Sequence, residues 1–539
     1  MVLVAAMTTE ERNWCLKYAL VLALLTSIPY LIAAWVQGED WVFTGFLLGV
    51  EDGNSYIAKM QLGSLGDWLF RSPYTYLPQR GVPAFTPYLL LGKLAAGPAL
   101  HDQLVNLFHA FRVLAIPALV LASYRFIAYW LESRSLRRVG TVLITAGGGM
   151  GWLALLGQSV FGPGELPLEF YSPETFGFLA VLGLPHLTLA RALLLFALIS
   201  YLQGSREPRS AWIAGGSLLL LTLIQPLSVI TAYVLIGLHS AIQVGLKLRS
   251  RCQAEAWTFI QVGMRTALPA LPIFLFLSLA FLNDPYLMKW TAQNLILSPS
   301  PVYYLLAYGL AAVLVAYGIG RRAIGTNAGQ LLPLLWVGVF PILAYAPYNL
   351  QRRLPEGVWA AWVLLALIGW RVFRADHPRA ASRLGPLALS VSLISSALIL
   401  LGALQVAAQP SAPVFRPTDE IRAMLTIADH VERDAVVVSS YASGNALPAW
   451  APVRVVIGHG PESVNRAQLE PNVKALYQAK LDDEETCAFF METGADIVWY
   501  GPEERSWGDF PERSNRLTLL HEEGEYAFYK VDCPPNTYP

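Results

Sequence analysis

Apolar runs close to twenty residues long recur along most of the chain, separated by short basic or Gly/Pro-rich breaks. A helix needs about twenty predominantly apolar residues to cross a bilayer, so the pattern predicts a polytopic helical membrane protein. Eleven spans are read from it, at 15–36, 104–131, 139–158, 186–204, 211–224, 227–246, 259–282, 303–320, 329–347, 356–373 and 386–406. After Val406 the pattern changes. Residues 407–417 are rich in Pro and Ala and read as a linker. From 418 onward a helical period over Asp419–Val431 gives way to β-type runs at Ala435–Ser439, Val453–Ile457, Asp496–Tyr500, Leu517–Leu520 and Tyr526–Val531. The expected architecture is a transmembrane domain over 1–406 followed by an α/β domain over 418–539.

Basic residues set the sidedness, because short cytoplasmic loops carry the excess of Lys and Arg. With the N-terminus inside, Arg134, Arg137, Arg138, Arg206, Arg209, Lys247, Arg249, Arg251, Arg321, Arg322, Arg371, Arg374, Arg379 and Arg383 all fall on the cytoplasmic side. This threading lays 85–99 along the outer interface as a short helix, since fifteen residues fall short of a crossing. It keeps 211–224 and 227–246 as two spans around Gln225-Pro226 and makes 37–103 a long first external loop. The α/β domain then lies outside, and the protein is placed in the plasma (inner) membrane. Residues 1–14 do not read as a cleavable signal peptide, so the first span is expected to persist.

Composition sharpens the picture in a few places. Hydrophobic residues make up 55% of the chain and charged residues 14%, and the 38 basic and 38 acidic side chains cancel. That balance excludes the basic field on which nucleic-acid binding depends. The four cysteines show no metal-ligand spacing; Cys487 and Cys533 share the C-terminal region, either as a disulfide or as two buried thiols. Gly147-Gly148-Gly149-Met150-Gly151 reads as a close-packing device within the third span. A phosphate-cradling loop would need a preceding strand and a following Lys. Gly458-His459-Gly460 follows a predicted strand, as a structural turn or as a binding loop at a sheet's carboxyl edge.

The candidate chemistry begins at Glu51-Asp52, two adjacent acids shortly after the first span in a chain sparing of charge. An acidic pair near a membrane bundle is costly to desolvate. A carboxylate there can accept a proton or hold a metal; the alternative is an acidic turn or an N-cap ahead of the helical run Ser55–Leu65. Tyr56 and the aromatics after it suit the membrane interface. Gln351-Arg352-Arg353 places two guanidinium groups on the outer face, shaped either for a lipid phosphate or for headgroup anchoring. In the loop 159–185, Glu174 and His186 suit an acceptor or metal site, His186 equally being a satisfied histidine at a helix start. The acidic pair with His186 or Glu174 is a set that can hold Mg²⁺ or Mn²⁺. Arg112 and Arg191 lie within spans, where ionisable groups face polar cavities by default, or pair with a carboxylate. The loop 283–302, with Trp290 and Asn294, has the polar and aromatic mix of a sugar-contacting lid or of an ordinary connector.

Together these features resemble the GT-C superfamily of membrane glycosyltransferases. The resemblance rests on Gly49-Val50-Glu51-Asp52-Gly53-Asn54-Ser55-Tyr56-Ile57-Ala58-Lys59-Met60, on Gln351-Arg352-Arg353 and on Gly458-His459-Gly460-Pro461-Glu462, which look like a bacterial branch of that superfamily. It implies an inverting transferase that takes a sugar from a polyprenyl-phosphate-linked donor to a lipid, glycan or protein acceptor. By resemblance Asp52 is the catalytic carboxylate and Arg352 or Arg353 binds the donor phosphate. The Glu-Asp order departs from the Asp-Asp or Asp-Glu of several relatives, so Glu51 remains a second candidate. No Trp-Trp-Asp acceptor motif is present, which argues against transfer to asparagine. The main alternative for such a chain is a transporter or lipid-carrier flippase, which favours inverted repeats and charges at the midplane.

Overall fold

The computed structural model describes residues 7–156, 166–326 and 329–533. Seven of its helices are long and apolar enough to cross a membrane: Thr9–Val36, Leu100–Ala128, Pro185–Gln203, Pro226–Arg249, Pro301–Gly320, Val358–Asp376 and Pro378–Ala407. Two shorter apolar helices, Pro208–Ile224 and Leu331–Ala344, also match predicted spans. The break at Gln225 is real: Pro226 opens the next helix, where its missing N–H costs nothing.

Two predicted spans are not continuous helices. The span 259–282 is split into Gln253–Ala267 and Leu271–Asn283, bent by 55°. Pro269 lies at the break, where a proline removes a backbone donor and crowds the preceding turn. In 139–158 the helix Arg134–Ala146 stops at Gly147, and the short helix Trp152–Leu156 follows the glycine run. The glycines do provide close packing, but outside the helix. The Gly148 N–H donates to the Ser392 carbonyl at 2.6 Å, and a Cβ on Gly149 would strike the Ala307 carbonyl. Residues 157–158 of that span and 159–165 of the next loop lie outside the described residues.

The chain divides into two compact units. The first gathers Met1–Ile28, Ala110–Phe276 and Ile296–Ala403. Within it Pro301–Gly320 packs along Val358–Asp376, with no room for a side chain at Gly369 against the Leu314 carbonyl. Arg112 is buried there and donates to Thr26 Oγ1 at 3.1 Å and Ser27 Oγ at 2.9 Å.

The second unit gathers Pro29–His109, Leu277–Leu295 and Leu404–Pro539. Strand β1 (Trp41–Phe43) pairs antiparallel with β2 (Phe415–Pro417), at the end of the predicted linker. Strands β3 (Val436–Val438), β4 (Arg454–Val455), β5 (Ala495–Tyr500), β6 (Leu517–Glu523) and β7 (Tyr526–Val531) form a sheet ordered β4-β3-β5-β7-β6. All five were expected from the β-type runs. β3 runs parallel to β4 and β5, while β7 is antiparallel to β5 and β6. Helices Tyr441–Trp450, Arg466–Tyr477 and Asp483–Thr493 make the crossovers that parallel strands require. Val438, Ile457, Val473, Leu476, Tyr477, Phe490 and Val498 are among the residues of the core.

Helix Val50–Ser64 packs on the short helix Thr86–Gly92, which occupies the segment expected to lie flat. The contact is glycine to backbone in both directions: a Cβ on Gly63 would meet the Leu89 carbonyl, and one on Gly92 the Met60 carbonyl. Cys487 and Cys533 form a disulfide. Closing a loop with a sequence separation of 46 restricts the unfolded chain, which typically contributes about 2–4 kcal/mol. Reduction is therefore expected to lower the unfolding temperature of the sheet region by several degrees, read by scanning fluorimetry with and without dithiothreitol. Cys487→Ser/Cys533→Ser should reproduce the shift without reductant.

Candidate functional site

Helix Val50–Ser64 begins after Gly49, whose φ of 59° is left-handed and suits a residue without a Cβ. Glu51 and Asp52 occupy its first turn, where unpaired N–H groups and the helix dipole favour carboxylates. The helix thus starts ahead of the expected Ser55, and Asp52 is inside it rather than capping it.

Two loops meet these acids, and both leave the carboxyl ends of parallel strands. After β3, Ser440 caps helix Tyr441–Trp450 by accepting from the Ser443 N–H. After β4 comes Gly458–Glu462. Ligand-binding groups collect at this edge of parallel sheets. The two loops are in backbone contact, since a Cβ on Gly444 would strike the Ile457 carbonyl and one on Gly458 the Gly444 carbonyl.

The two acids are treated differently. Glu51 is clamped: the Gly460 N–H donates to its Oε1 at 2.9 Å, and the Tyr441 hydroxyl donates to the same oxygen. Asn445 donates through Nδ2 to the Glu51 carbonyl at 3.3 Å, and its Oδ1 accepts from Asn54 Nδ2 at 2.8 Å. Asp52 keeps 59% of its side chain exposed, with Oδ1 3.3 Å from Nε2 of the buried His459. Both acids are exposed; Glu51 braces the loop through Gly460 and Tyr441, and Asp52 contacts His459.

Beneath them lies a buried ion pair. Lys59 Nζ stands 2.7 Å from Glu462 Oε1, with the two side chains 1% and 2% exposed. Ser55 Oγ donates to the same carboxylate at 3.0 Å, and the Ser72 hydroxyl to its other oxygen. The ammonium also sits 4.4 Å from the centre of the Phe85 ring. Burial pushes the Glu462 carboxyl up, but the Lys59 charge, His459 and the hydrogen bonds from Lys59 and Ser72 outweigh it and hold the group below 4.5. A carboxyl lowered on folding stabilises the fold fully above its unfolded value, and this is lost as pH falls through its lower folded value. Wild-type unfolding temperature is therefore expected to fall more steeply than that of Glu462→Gln as pH drops below the ordinary carboxyl range, through the lowered value at which Glu462 takes up its proton.

The loop 283–302 contributes to this turn through residues other than those expected. Gln293 Nε2 donates to the Pro461 carbonyl at 2.8 Å and the Ser463 carbonyl at 3.0 Å, and the Tyr286 hydroxyl donates to the Glu462 carbonyl at 3.1 Å. Trp290 is buried among Phe70, Phe85 and Tyr286, a core position instead of a sugar-facing one. Asn294 ends helix Pro285–Gln293, its N–H donating to the Trp290 carbonyl. Tyr56 stacks on Tyr88 with centroids 4.7 Å apart. A cavity of about 540 Å³ opens beside Gly460, lined by Gln293, Asn465, Arg466, Ala467, Gln468 and Glu470. Its guanidinium, Arg466, lies 3.4 Å from the centre of the Tyr441 ring.

In the first unit, Arg352 and Arg353 sit in a 3₁₀ turn, both half-buried. Arg353 Nε is 3.0 Å from Oε1 of Glu174, which is itself buried. Arg352 lies over the Tyr171 ring at 4.6 Å. Arg191 pairs with buried Glu356 at 2.7 Å and donates to the carbonyls of Pro173 and Glu174. The sequence therefore named a connected set, Glu174, Arg191 and Arg353, while missing Glu356. His186 follows Pro185 at the start of helix Pro185–Gln203. Among the described residues no three or more His, Cys, Asp or Glu side chains form a metal-ligand group. Asp52 stands with His459 and Glu51, and His186 and Glu174 complete no such set among the described residues.

The residues that sequence reading passed over are Lys59, Tyr441, His459 and Glu462 in their actual roles. One signal was available: a lysine within the apolar run Tyr56–Leu62 needs a buried partner of opposite charge.

No protein-family model and no curated protein sequence matches the chain. Solved structures do. Oligosaccharyltransferase AglB from Archaeoglobus fulgidus, in complex with an inhibitory peptide and a dolichol-phosphate, aligns at a TM-score of 0.54 and 14% identity, covering 98% of this chain and 75% of that one. Arabinofuranosyltransferase AftD from Mycobacteria aligns at 0.52 and 14%, covering 98% and 42%. ArnT from Cupriavidus metallidurans bound to undecaprenyl phosphate aligns at 0.50 and 13%, covering 94% and 97%. At these identities the likeness shows the fold alone: the chain shares the fold of these three structures, with helices long and apolar enough to cross a membrane and a C-terminal sheet region.

Proposed function

We propose that this chain is a membrane glycosyltransferase that moves a sugar from a polyprenyl-phosphate-linked donor to an acceptor hydroxyl. The observation that carries the reading is an outward-facing Asp52, held by His459, in a fold whose solved examples include complexes with dolichol-phosphate and undecaprenyl phosphate. Asp52 takes the acceptor's proton as the hydroxyl oxygen bonds to the anomeric carbon. The bond from that carbon to the phosphate oxygen breaks, and polyprenyl phosphate leaves. A single in-line displacement inverts the anomeric centre. Arg352 and Arg353 hold the phosphate and stabilise its growing charge. The charge pattern of the loops supports an extracytoplasmic reaction face in the plasma membrane, with the sheet region on that side. No step is assigned to a metal, although another Archaeoglobus fulgidus oligosaccharyltransferase structure is a complex with Zn and sulfate.

The test is release of polyprenyl phosphate by the purified protein in nanodiscs, across a panel of decaprenyl- and undecaprenyl-phosphate sugars. Release dependent on an added acceptor supports the reading, and none across the panel counts against it. Arg352→Ala and Arg353→Ala should each weaken polyprenyl-phosphate binding about 10- to 100-fold, the scale of a hydrogen bond to a charged group at about 1.5–3 kcal/mol. Arg352→Lys should recover little, because an ammonium does not reproduce the planar contact with Tyr171. Native mass spectrometry of the lipid-bound fraction checks both.

A further inference from the structure

We propose that His459 is a positioning residue, seated against Tyr74 on a pinned backbone, whose Nε2–H fixes the Asp52 carboxylate for reaction. This rests on Asp52 being the reacting group, as proposed above. A carboxylate can only accept, so the 3.3 Å contact from His459 Nε2 to Asp52 Oδ1 places the ring proton on Nε2. The ring has little freedom. Its face meets Tyr74 with centroids 5.3 Å apart, and its Nδ1 approaches Glu462 Oε1 to 3.5 Å without a hydrogen bond. The backbone beneath is pinned too, since the N–H groups of Gly458 and His459 both donate to Ser463 Oγ, at 2.8 and 3.0 Å.

The result is a chain of contacts from a buried anchor to an exposed carboxylate: Lys59, Glu462, His459, Asp52. Lys59 and Asp52 lie on one helix, while Glu462 and His459 lie on one loop, so the chain closes between two elements at both ends. That arrangement fixes the direction of Asp52 more firmly than a single surface contact does. Orienting a reacting group in this way accounts for large rate factors, because small misplacements are costly. The charged and titratable groups around the imidazole are Asp52, Glu51 and Lys59 on helix Val50–Ser64, Glu462 on its own loop, Tyr74, and Tyr441 on the helix after β3.

The experiment uses full-length protein in nanodiscs with ¹⁵N-labelled histidine, the His459 ring signals being assigned by their loss in His459→Gln. Asp52→Asn is expected to move the Nε2 resonance of His459 more than that of Nδ1. A Nε2 resonance identical in wild type and Asp52→Asn would overturn the proposal, whatever the activity. Kinetics give the second readout. His459→Ala should lower kcat about 10²-fold with donor KM unchanged, and displace the acidic limb of the pH–rate profile. His459→Gln, whose amide reaches a similar point, should restore most of kcat. Equal losses in Ala and Gln, or a loss confined to KM, would count against positioning. If the wild-type protein releases no polyprenyl phosphate from any donor, the sugar-transfer reading fails, while the ring resonances still decide whether His459 holds Asp52.

Discussion

Glu462→Ala is expected to destabilise the second unit by about 3–5 kcal/mol, the cost of leaving one member of a buried ion pair without its partner. Lys59 and Glu462 are almost wholly enclosed, so the surviving charge has no water to turn to. The aromatic rings around Lys59, at 4.4 Å for Phe85 and 5.3 Å for Phe70, offset only part of that loss. Three hydrogen-bonding neighbours of the carboxylate, Ser55, Ser72 and Lys59 itself, also lose their acceptor. Lys59→Ala should be comparably harmful, since it strands the carboxylate. The informative variant is Lys59→Met/Glu462→Leu, which removes both charges and keeps the volume. Buried pairs replaced in this way often lose little stability, so the double variant should recover much of what either single loses. It should not recover everything, because the Ser55 and Ser72 hydroxyls remain buried without an acceptor, at about 1–3 kcal/mol for an unsatisfied group. Unfolding temperatures of all four proteins in nanodiscs give the answer. A double variant as impaired as the sum of the singles would show that the pair contributes no coupling.

How far the sequence made this fold legible depends on the range of the interactions involved. Apolar length and period-two runs are local signals, and they located the long spans and all five strands of the sheet. Where they failed, a backbone rule outranked hydropathy: Pro269 bends one apolar segment, and Gly147 stops another while the hydropathy continues. The acidic pair was conspicuous because charge is rare in this chain. Its division of labour was not, because the difference between Glu51 and Asp52 is made by Gly460, Tyr441 and His459, all some four hundred residues downstream. Lys59 and Glu462 stand in the segments 49–60 and 458–462, yet neither string states that it neutralises the other. Trp290 misled for a related reason: an aromatic in a polar loop suits a lid or a small core equally, and only its neighbours Phe70 and Phe85 decide.

Asp52→Asn is expected to lower turnover by about 10²–10⁴-fold, the range that a positioned general base contributes, with little change in stability. The substitution keeps the shape of the side chain and removes only its charge. At 59% exposed, the position asks little desolvation of either residue, and surface changes of this kind fall within about 0.5 kcal/mol. An asparagine can still accept from His459 Nε2, so the ring need not move. Glu51→Gln should behave in the opposite sense. Its carboxylate holds Gly460 and Tyr441 and orders the loop, so the amide should weaken that clamp and soften the fold while leaving a measurable rate. The pair of variants therefore separates the two acids along two axes, turnover and unfolding temperature. Polyprenyl-phosphate release under saturating donor supplies the first and scanning fluorimetry the second. Full activity in Asp52→Asn would remove this carboxylate from the reaction. Abolished turnover in Glu51→Gln at an unchanged unfolding temperature would transfer the role to Glu51.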